Sequence, residues 1–256
     1  MRPIVLLTMA GRSERFGRAG VDVPKWSLVL GGRSMLERAL DSLAPLLKTG
    51  VDLRLIVRPA DADSPLLTDI LRRYPFPARI VPSDGRARGQ AVDALGGIGH
   101  GEEDRPCIVW CVDTFVRWCD ETAAALVRAE GNWLLTAPLS GEQWAFAAAT
   151  SAGEVTATAE KRRIGPDASV GMYGFGSCQV FRDAVAAVAD SQAEVYVAPV
   201  YNVILGDGGR VRLVRISDEA VTSVGTPAEM LAACSRHGWK VPPELRNYAE
   251  QRRPVS

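Results

Sequence analysis

The sequence predicts an α/β fold with a mixed, mostly parallel sheet and helices on both faces. Three observations predict it. Strand-like and helix-like segments alternate through the first half. The run CIVWCV at 107–112 is continuously apolar, as in a strand buried on both faces. The second half is richer in strands, so the parallel pattern gives way to a mixed one.

Taken in order, PIVLLT at 3–8 is the first strand, and it empties into the small-residue turn MAGRSERF at 9–16. Residues 27–30 are strand-like. RSMLERALDSLAPLL at 33–47 is a helix, because Ser34 and Glu37 have capping-box spacing and Met35, Ala39, Leu40 and Leu43 share a face. VDLRLIV at 51–57 alternates, placing Leu53, Leu55 and Val57 on one side of a strand. A helix at 66–74, a strand at 78–81 and a helix at 90–95 lead to the 107–112 strand. WLLTAPL at 133–139, WAFAAAT at 144–150 and EVTATAE at 154–160 are candidate antiparallel partners, with SVGMYGFG at 169–176 a further strand. Helices at 179–189 and around 197–205 precede a late strand, RVRLVRI at 210–216. TPAEMLAACS at 226–235 closes the pattern as a helix, with Thr226 as N-cap, Pro227 at the first helical position and Glu229 completing a box.

The chain of 256 residues is long enough for a sizeable core, and its 47% hydrophobic and 23% charged content is ordinary for a globular domain. Formal net charge is zero, which argues against a nucleic-acid or acidic-membrane partner, so any anionic ligand must be held by local groups. No apolar run reaches membrane-spanning length, no cleavable signal is expected, and a cytoplasmic location is the default. The five cysteines form no C-x-x-C pair and their odd number fits poorly with a disulfide framework; Cys107 and Cys111 read as core residues. His100 and His237 have no partner at metal-ligand spacing, so zinc and histidine-based catalysis are poorly supported.

Ligands of open α/β sheets sit beyond the carboxyl ends of the strands. The 9–16 turn lies there, and so does Asp113, directly after the 107–112 strand. Backbone N–H groups of a small-residue turn at Met9, Ala10, Gly11, Arg12 and Ser13 suit phosphate, with Arg12 and Arg15 adding charge-assisted hydrogen bonds. A solvated basic turn is the plainer alternative. An exposed carboxylate such as Asp113 suits Mg2+, which takes one or two carboxylates plus phosphate oxygens. Lys25, after Pro24, would reach a phosphoryl oxygen as a point charge; the alternative is an ordinary surface lysine.

LLTMAGRSERFGRAGVDVPKWSLVLGGRSMLERAL at 6–40 resembles the N-terminal signature of nucleoside-triphosphate:sugar-phosphate nucleotidyltransferases. That signature runs strand, A-G-x-G-x-R, P-K, hydrophobic strand, G-x-x-M-L/I and helix; Ala10, Gly11, Arg15, Pro24, Lys25, Gly32, Met35 and Leu36 match it. GQA at 89–91 stands where the family contacts the base, which implies that role for Gln90, and Asp113 stands at the metal-binding aspartate. AEKRRIGPDASVGMYGF at 159–175 resembles the E-K segment and G-x-Y-x-F strand, implying acceptor contacts by Glu160, Lys161 and Gly171. EVYVAPVYNVILGDGG at 194–209 resembles the next helix, with Glu194 on the acceptor side, and VGTPAEM at 224–230 the late G-T-P motif.

The resemblance implies a Rossmann-like fold of nucleotidyltransferase or glycosyltransferase-A type. It makes 1–256 one domain, with a nucleotide-binding part at about 1–120, an acceptor-binding part at about 121–235 and a C-terminal tail. The implied reaction is Mg2+-dependent transfer of a nucleoside monophosphate from a nucleoside triphosphate to a phosphorylated small-molecule acceptor, with Arg15 and Lys25 as catalytic residues. MAGR..RF..AG...PK and DTFVRW at 113–118 resemble a branch that includes small-metabolite cytidylyltransferases, which brings CTP and phospho- or phosphono-acceptors into view. A homodimer is compatible with it. Departures are Ser13 for glycine, Trp26 after Lys25, and Ser223 where a second metal-binding aspartate is common; Asn202, Glu194 and Asp218 are candidate substitutes. A glycosyltransferase of similar fold would carry D-x-D where Cys111-Val112-Asp113 stands. A non-catalytic nucleotide or sugar-phosphate sensor is the other rival.

Overall fold

The computed structural model describes residues 1–86, 88–190 and 192–251. Strand β1 (Ile4–Thr8) leads through a short helix α1 (Glu14–Arg18), a 3-10 turn (Lys25–Ser27) and the small hairpin β2 (Val29–Leu30) and β3 (Arg33–Ser34) into helix α2 (Met35–Leu47). Helix α2 begins at its predicted cap: the Ser34 hydroxyl accepts from the Glu37 N–H, and the Glu37 carboxylate accepts from the Ser34 N–H. Strand β4 (Asp52–Val57), helix α3 (Pro65–Arg72), strand β5 (Ala78–Pro82), helix α4 (Gln90–Leu95) and strand β6 (Cys107–Cys111) follow the expected order.

After β6 come a short strand β7 (Thr114–Val116) and helix α5 (Asp120–Arg128), an element without counterpart in the sequence pattern because it buries only Ala123 and Leu126. The second half contains β8 (Asn132–Ala137), β9 (Ala145–Ala149), β10 (Val155–Glu160) and β11 (Asp167–Phe175). Helices α6 (Cys178–Ala189) and α7 (Val200–Gly206), strands β12 (Val211–Arg215) and β13 (Val221–Ser223), and helices α8 (Pro227–His237) and α9 (Arg246–Glu250) complete it. Helix α7 starts later than expected because Pro199 disfavours helical backbone at Ala198.

The central sheet is mixed and nine-stranded. β1 pairs in parallel with β4 and β6, and β4 with β5. β11 docks antiparallel on β6 and carries both β8 and β9, so the two halves of the chain share one sheet. β10 extends β9, and β12 adds in parallel to β8. β8 therefore pairs with β11 and β12 rather than with the 144–150 segment.

Both faces are covered. Val5 and Leu7 of β1 enter one apolar layer with Leu36 and Leu40 of α2 and Leu67 of α3. Ile4 and Leu6 enter the other, with Ala91 of α4, Phe181 of α6 and Tyr201 of α7. The alternation of β4 conceals a second buried face: Ile56 and even Arg54 are inside. Beyond α8, the Arg38 guanidinium lies 3.6 Å over the Trp239 ring and Leu245 is buried, tying the start of the tail to α2. Residues 252–256 of that tail lie outside the described residues. Among the described residues no helix is long and apolar enough to cross a membrane.

Candidate active site

Thr8 and Cys111 are register partners at the carboxyl ends of β1 and β6, so the turn after β1 and Asp113 after β6 open on the same sheet edge. A cleft of about 680 Å³ lies there. Met9, Ala10, Gly11, Arg12, Ser13, Arg15, Lys25, Gln90, Asp113, Glu160, Lys161, Gly171 and Glu194 all line it, together with Ser223. The structure thus gathers the whole set of sequence-predicted site residues.

The turn is anchored by Phe16, which is buried, and by Ser13, whose carbonyl accepts from the Phe16 and Gly17 N–H groups. Ser13 is in the left-handed region, φ 56°, a conformation that glycine adopts without strain. A Cβ at Gly11 would meet nothing within 4 Å, so packing does not require glycine there, and the bare backbone faces the cleft. Arg12 and Arg15 are exposed and make no ion pair among the described residues, whereas Arg18 pairs with Glu14 at 3.5 Å.

Lys25 stands on a 3-10 turn fixed by its neighbour Trp26, which is buried and donates from Nε1 to Asp61. Trp26 therefore serves the core. Lys25 Nζ lies 2.5 Å from Asp113 Oδ2, both side chains being mostly buried. Burial pushes the Asp113 carboxyl up, but the Lys25 charge and hydrogen bond, with the Cys111 thiol, outweigh it and hold Asp113 below the usual carboxylate value.

A second carboxylate approaches Asp113. A Cβ placed on Gly225 would lie 3.3 Å from Asp113 Oδ2 and 3.5 Å from Glu229 Oε2, so both acids face the space beside Gly225. Glu229 was expected only to cap α8. Thr226 Oγ1 does accept from the Glu229 N–H, but the Glu229 side chain turns into the cleft, where it accepts from Gln143 Nε2 at 3.2 Å. The other candidate substitutes fare differently. Asn202 bonds both the N–H and the carbonyl of Thr158, joining α7 to β10, and Asp218 lies outside the cleft. Glu194 lines the cleft but accepts from Tyr196. Among the described residues no three His, Cys, Asp or Glu side chains form a metal cage. Mg2+ takes one or two carboxylates while phosphate oxygens and water complete its shell, so this donor set fits it.

Glu160 ends β10, and Lys161 follows with φ 52°. Lys161 Nζ donates to the Tyr196 hydroxyl at 3.1 Å, and that hydroxyl donates to Glu194 at 2.9 Å. Burial raises the Glu160 carboxyl; Lys161 opposes the rise and Glu194 adds to it. Gly171 has φ 83°, and a Cβ there would lie 2.3 Å from Cys111 Sγ, so this position is closed to side chains on both counts.

Gln90 opens α4, and its Nε2 donates to Thr8 Oγ1 at 2.8 Å. Gly89 precedes it with φ 105°, packed against the backbone of Val195. Asp93, one helical turn further, is pushed up to about 6 by burial and by Asp84, against the pull of Arg88. Its i+3 spacing from Gln90 was the available signal for its presence in the cleft. Tyr196 was similarly visible two residues after Glu194. Gln143 and Trp144 are brought in by a loop, and Glu229 by the packing of the first turn of α8, none of which carries a local signature.

With this geometry in place, the family follows from residues 5–167, which match the MobA-like NTP transferase domain. The chain belongs to that family. The NTP transferase is also similar in fold to a nucleoside-diphosphate-sugar pyrophosphorylase from Vibrio cholerae, with a TM-score of 0.74 and 23% identity over 91% of this chain and 99% of that one. The inositol-1-phosphate CTP transferase of T. maritima superposes with a TM-score of 0.71 at 15% identity, covering 91% of this chain and 96% of its own. Its mixed sheet with helices on both faces is the α/β arrangement of these neighbours. No curated protein sequence matches the chain.

Proposed function

We propose that this NTP transferase is a magnesium-dependent nucleotidyltransferase acting on a phosphorylated small molecule, either a sugar 1-phosphate or a small phospho- or phosphono-compound. One observation carries the reading: two unpaired arginines beside a bare-backbone turn share one cleft with the Lys25–Asp113 pair and a further lysine, Lys161. A phosphate or phosphonate oxygen of the acceptor attacks the α-phosphorus, a new P–O bond forms, and the bond to the bridging oxygen breaks as pyrophosphate leaves. Such chemistry depends on alignment and charge neutralisation more than on covalent help.

The N–H groups of residues 10–13 with Arg12 and Arg15 hold the β- and γ-phosphates. Lys25 stabilises the α-phosphoryl group, Gln90 meets the base, and Lys161, with Glu160, Gly171 and Glu194 around it, receives the acceptor. Asp113 and Glu229 would hold Mg2+, which when bound neutralises charge on phosphate oxygens. The absence of D-x-D at 111–113 disfavours the glycosyltransferase alternative.

The test is a matrix of nucleoside triphosphates against sugar 1-phosphates and small phosphate or phosphonate acceptors, scored by pyrophosphate release. Release with one triphosphate–acceptor combination is the expected result. Triphosphate binding without release from any combination would instead make the protein a sensor. In the active combination, Arg15→Ala should cut turnover by about 100- to 1,000-fold, as when one preorganised transition-state contact is lost. Lys161→Ala should raise the acceptor KM more than the triphosphate KM; the reverse would move Lys161 to the donor side.

A further inference from the structure

Glu229 turns its two carboxylate oxygens to different neighbours. Oε1 accepts from Gln143 Nε2 at 3.2 Å, whereas Oε2 is the oxygen that shares the space beside Gly225 with Asp113 Oδ2. A glutamate has several rotatable bonds before its carboxylate, and holding it in one arrangement costs entropy that a partner must offset. The Gln143 amide is that partner here. It takes up Oε1 and leaves Oε2 directed at the second acid.

Gln143 is itself held in place. Its Oε1 lies over Gly141, where a Cβ would come within 2.2 Å of it. Arg163 fastens the same stretch of backbone, donating to the Leu139 carbonyl at 2.9 Å and to the Gly141 carbonyl at 3.2 Å. The Arg163 guanidinium lies 4.2 Å over the Phe146 ring and does not line the cleft. Trp144 closes the other end of the loop: its Nε1 donates to the Ser140 carbonyl, and its own carbonyl accepts from the Lys161 N–H, both at 3.0 Å. The loop from β8 to β9 is thus tied at both ends.

We propose that Gln143 is a positioning residue for the metal, and that Arg163 supports it by fastening Gly141. By holding Oε1 of Glu229, Gln143 keeps Oε2 turned towards Asp113. An amide suits this task because it is neutral. A lysine or arginine in its place would also hold Glu229, but its charge would oppose a divalent cation nearby. An amide N–H orients the carboxylate and leaves the whole negative charge to the metal. This inference rests on the reading of Asp113 and Glu229 as metal ligands given above.

The experiment follows Mn2+ binding to the full chain by water-proton relaxation at a fixed concentration of inorganic pyrophosphate, so neither base nor acceptor has to be known. Gln143→Met keeps the length of the side chain and removes the donor. It should weaken Mn2+ binding by about tenfold, the scale on which partners of metal ligands act. Because Gln143 is exposed, the change leaves the core untouched. Gly141→Ala, which pushes the amide aside, should weaken binding likewise, and the two changes together should cost little more than either alone. In a Glu229→Gln background Gln143→Met should have no further effect, since no carboxylate is left to orient. Unchanged Mn2+ binding in Gln143→Met would overturn the inference and leave the metal reading standing. So would a loss that persists undiminished in the Glu229→Gln background. Glu229→Gln binding Mn2+ as tightly as the unaltered chain, or no Mn2+ binding by the unaltered chain, would overturn both.

Discussion

Ser13 and Lys161 are the two described non-glycine residues with positive φ, at 56° and 52°, and both line the cleft. Left-handed backbone costs a side-chain-bearing residue roughly 1–2 kcal/mol, and such strain persists where the surroundings impose it. At Ser13 the hydroxyl recovers little, since its carbonyl partner on Gly11 is 3.4 Å away and exposed. Ser13→Gly should therefore raise the free energy of unfolding by up to about 1 kcal/mol, after allowance for the extra unfolded-state freedom of glycine. Urea denaturation of the two proteins decides it, and a loss of stability would show that the hydroxyl contributes more than the strain costs. Asp113 is the other residue with a sharp expectation. Asp113→Asn keeps the shape but removes the charge opposite Lys25, and should abolish transfer at ordinary magnesium concentrations while leaving measurable triphosphate binding through Arg12, Arg15 and the turn. Glu229→Gln should shift the magnesium requirement upwards and Ser223→Ala should shift it far less, because a hydroxyl is a poor ligand for a hard divalent cation. Full activity in Asp113→Asn would remove the metal from this edge of the sheet.

Strand β11 is the element on which the site depends. It joins the parallel half to the rest of the sheet and changes register between Ser169 and Tyr173, around Gly171. At that irregularity β11 comes close to β6, where only a hydrogen on Gly171 clears Cys111 Sγ. Gly171→Ala should destabilise the protein by roughly 1–3 kcal/mol through overpacking and left-handed strain together. Adding Cys111→Ala should return the overpacking part and leave the backbone part, a non-additivity that a double-mutant cycle by thermal or urea unfolding measures directly. Strict additivity would place the cost in the backbone alone.

Across the whole molecule, the amino ends of the strands carry a charge cluster remote from the chemistry. Arg54, 1% exposed, pairs with Glu102 at 2.5 Å and Asp52 at 2.6 Å, and Arg105 pairs with the same two acids. The hydrogen bond from Arg54 is the largest influence on Glu102 and, over the opposing effect of burial, brings it down from about 4.5 to about 2. A carboxylate held below its unfolded value stabilises the fold above that value, and the contribution drains away as pH falls through the folded one. Unfolding free energy should accordingly decline between about pH 4.5 and pH 2. Glu102→Gln should start lower at neutral pH and show a flatter decline over that window; an unchanged slope would assign acid sensitivity to other carboxylates.

The sequence by itself determined most of the local structures and part of the lining of the cleft. Capping at Ser34 and Glu37, the apolar runs of β1 and β6 and the small-residue turn are written in neighbouring residues, because caps, turns and side-chain periodicity are short-range physics. The rule that ligands sit at strand carboxyl ends places the turn and Asp113 on one edge. The residues from Gln90 onwards came from the order of motifs along the chain, which the shared cleft then brought together. Tertiary structure alone decided the rest. The choice of β11 rather than β9 as the main partner of β8, the burial of Arg54, and the approach of Glu229 to Asp113 across Gly225 all join residues far apart in the chain. So does the Trp110–Thr8–Gln90 chain of hydrogen bonds, which ties the Gln90 amide to a main-chain carbonyl on β6. Long-range pairing and the burial of polar groups against distant partners are settled only when the chain closes on itself, and no local spacing announces them.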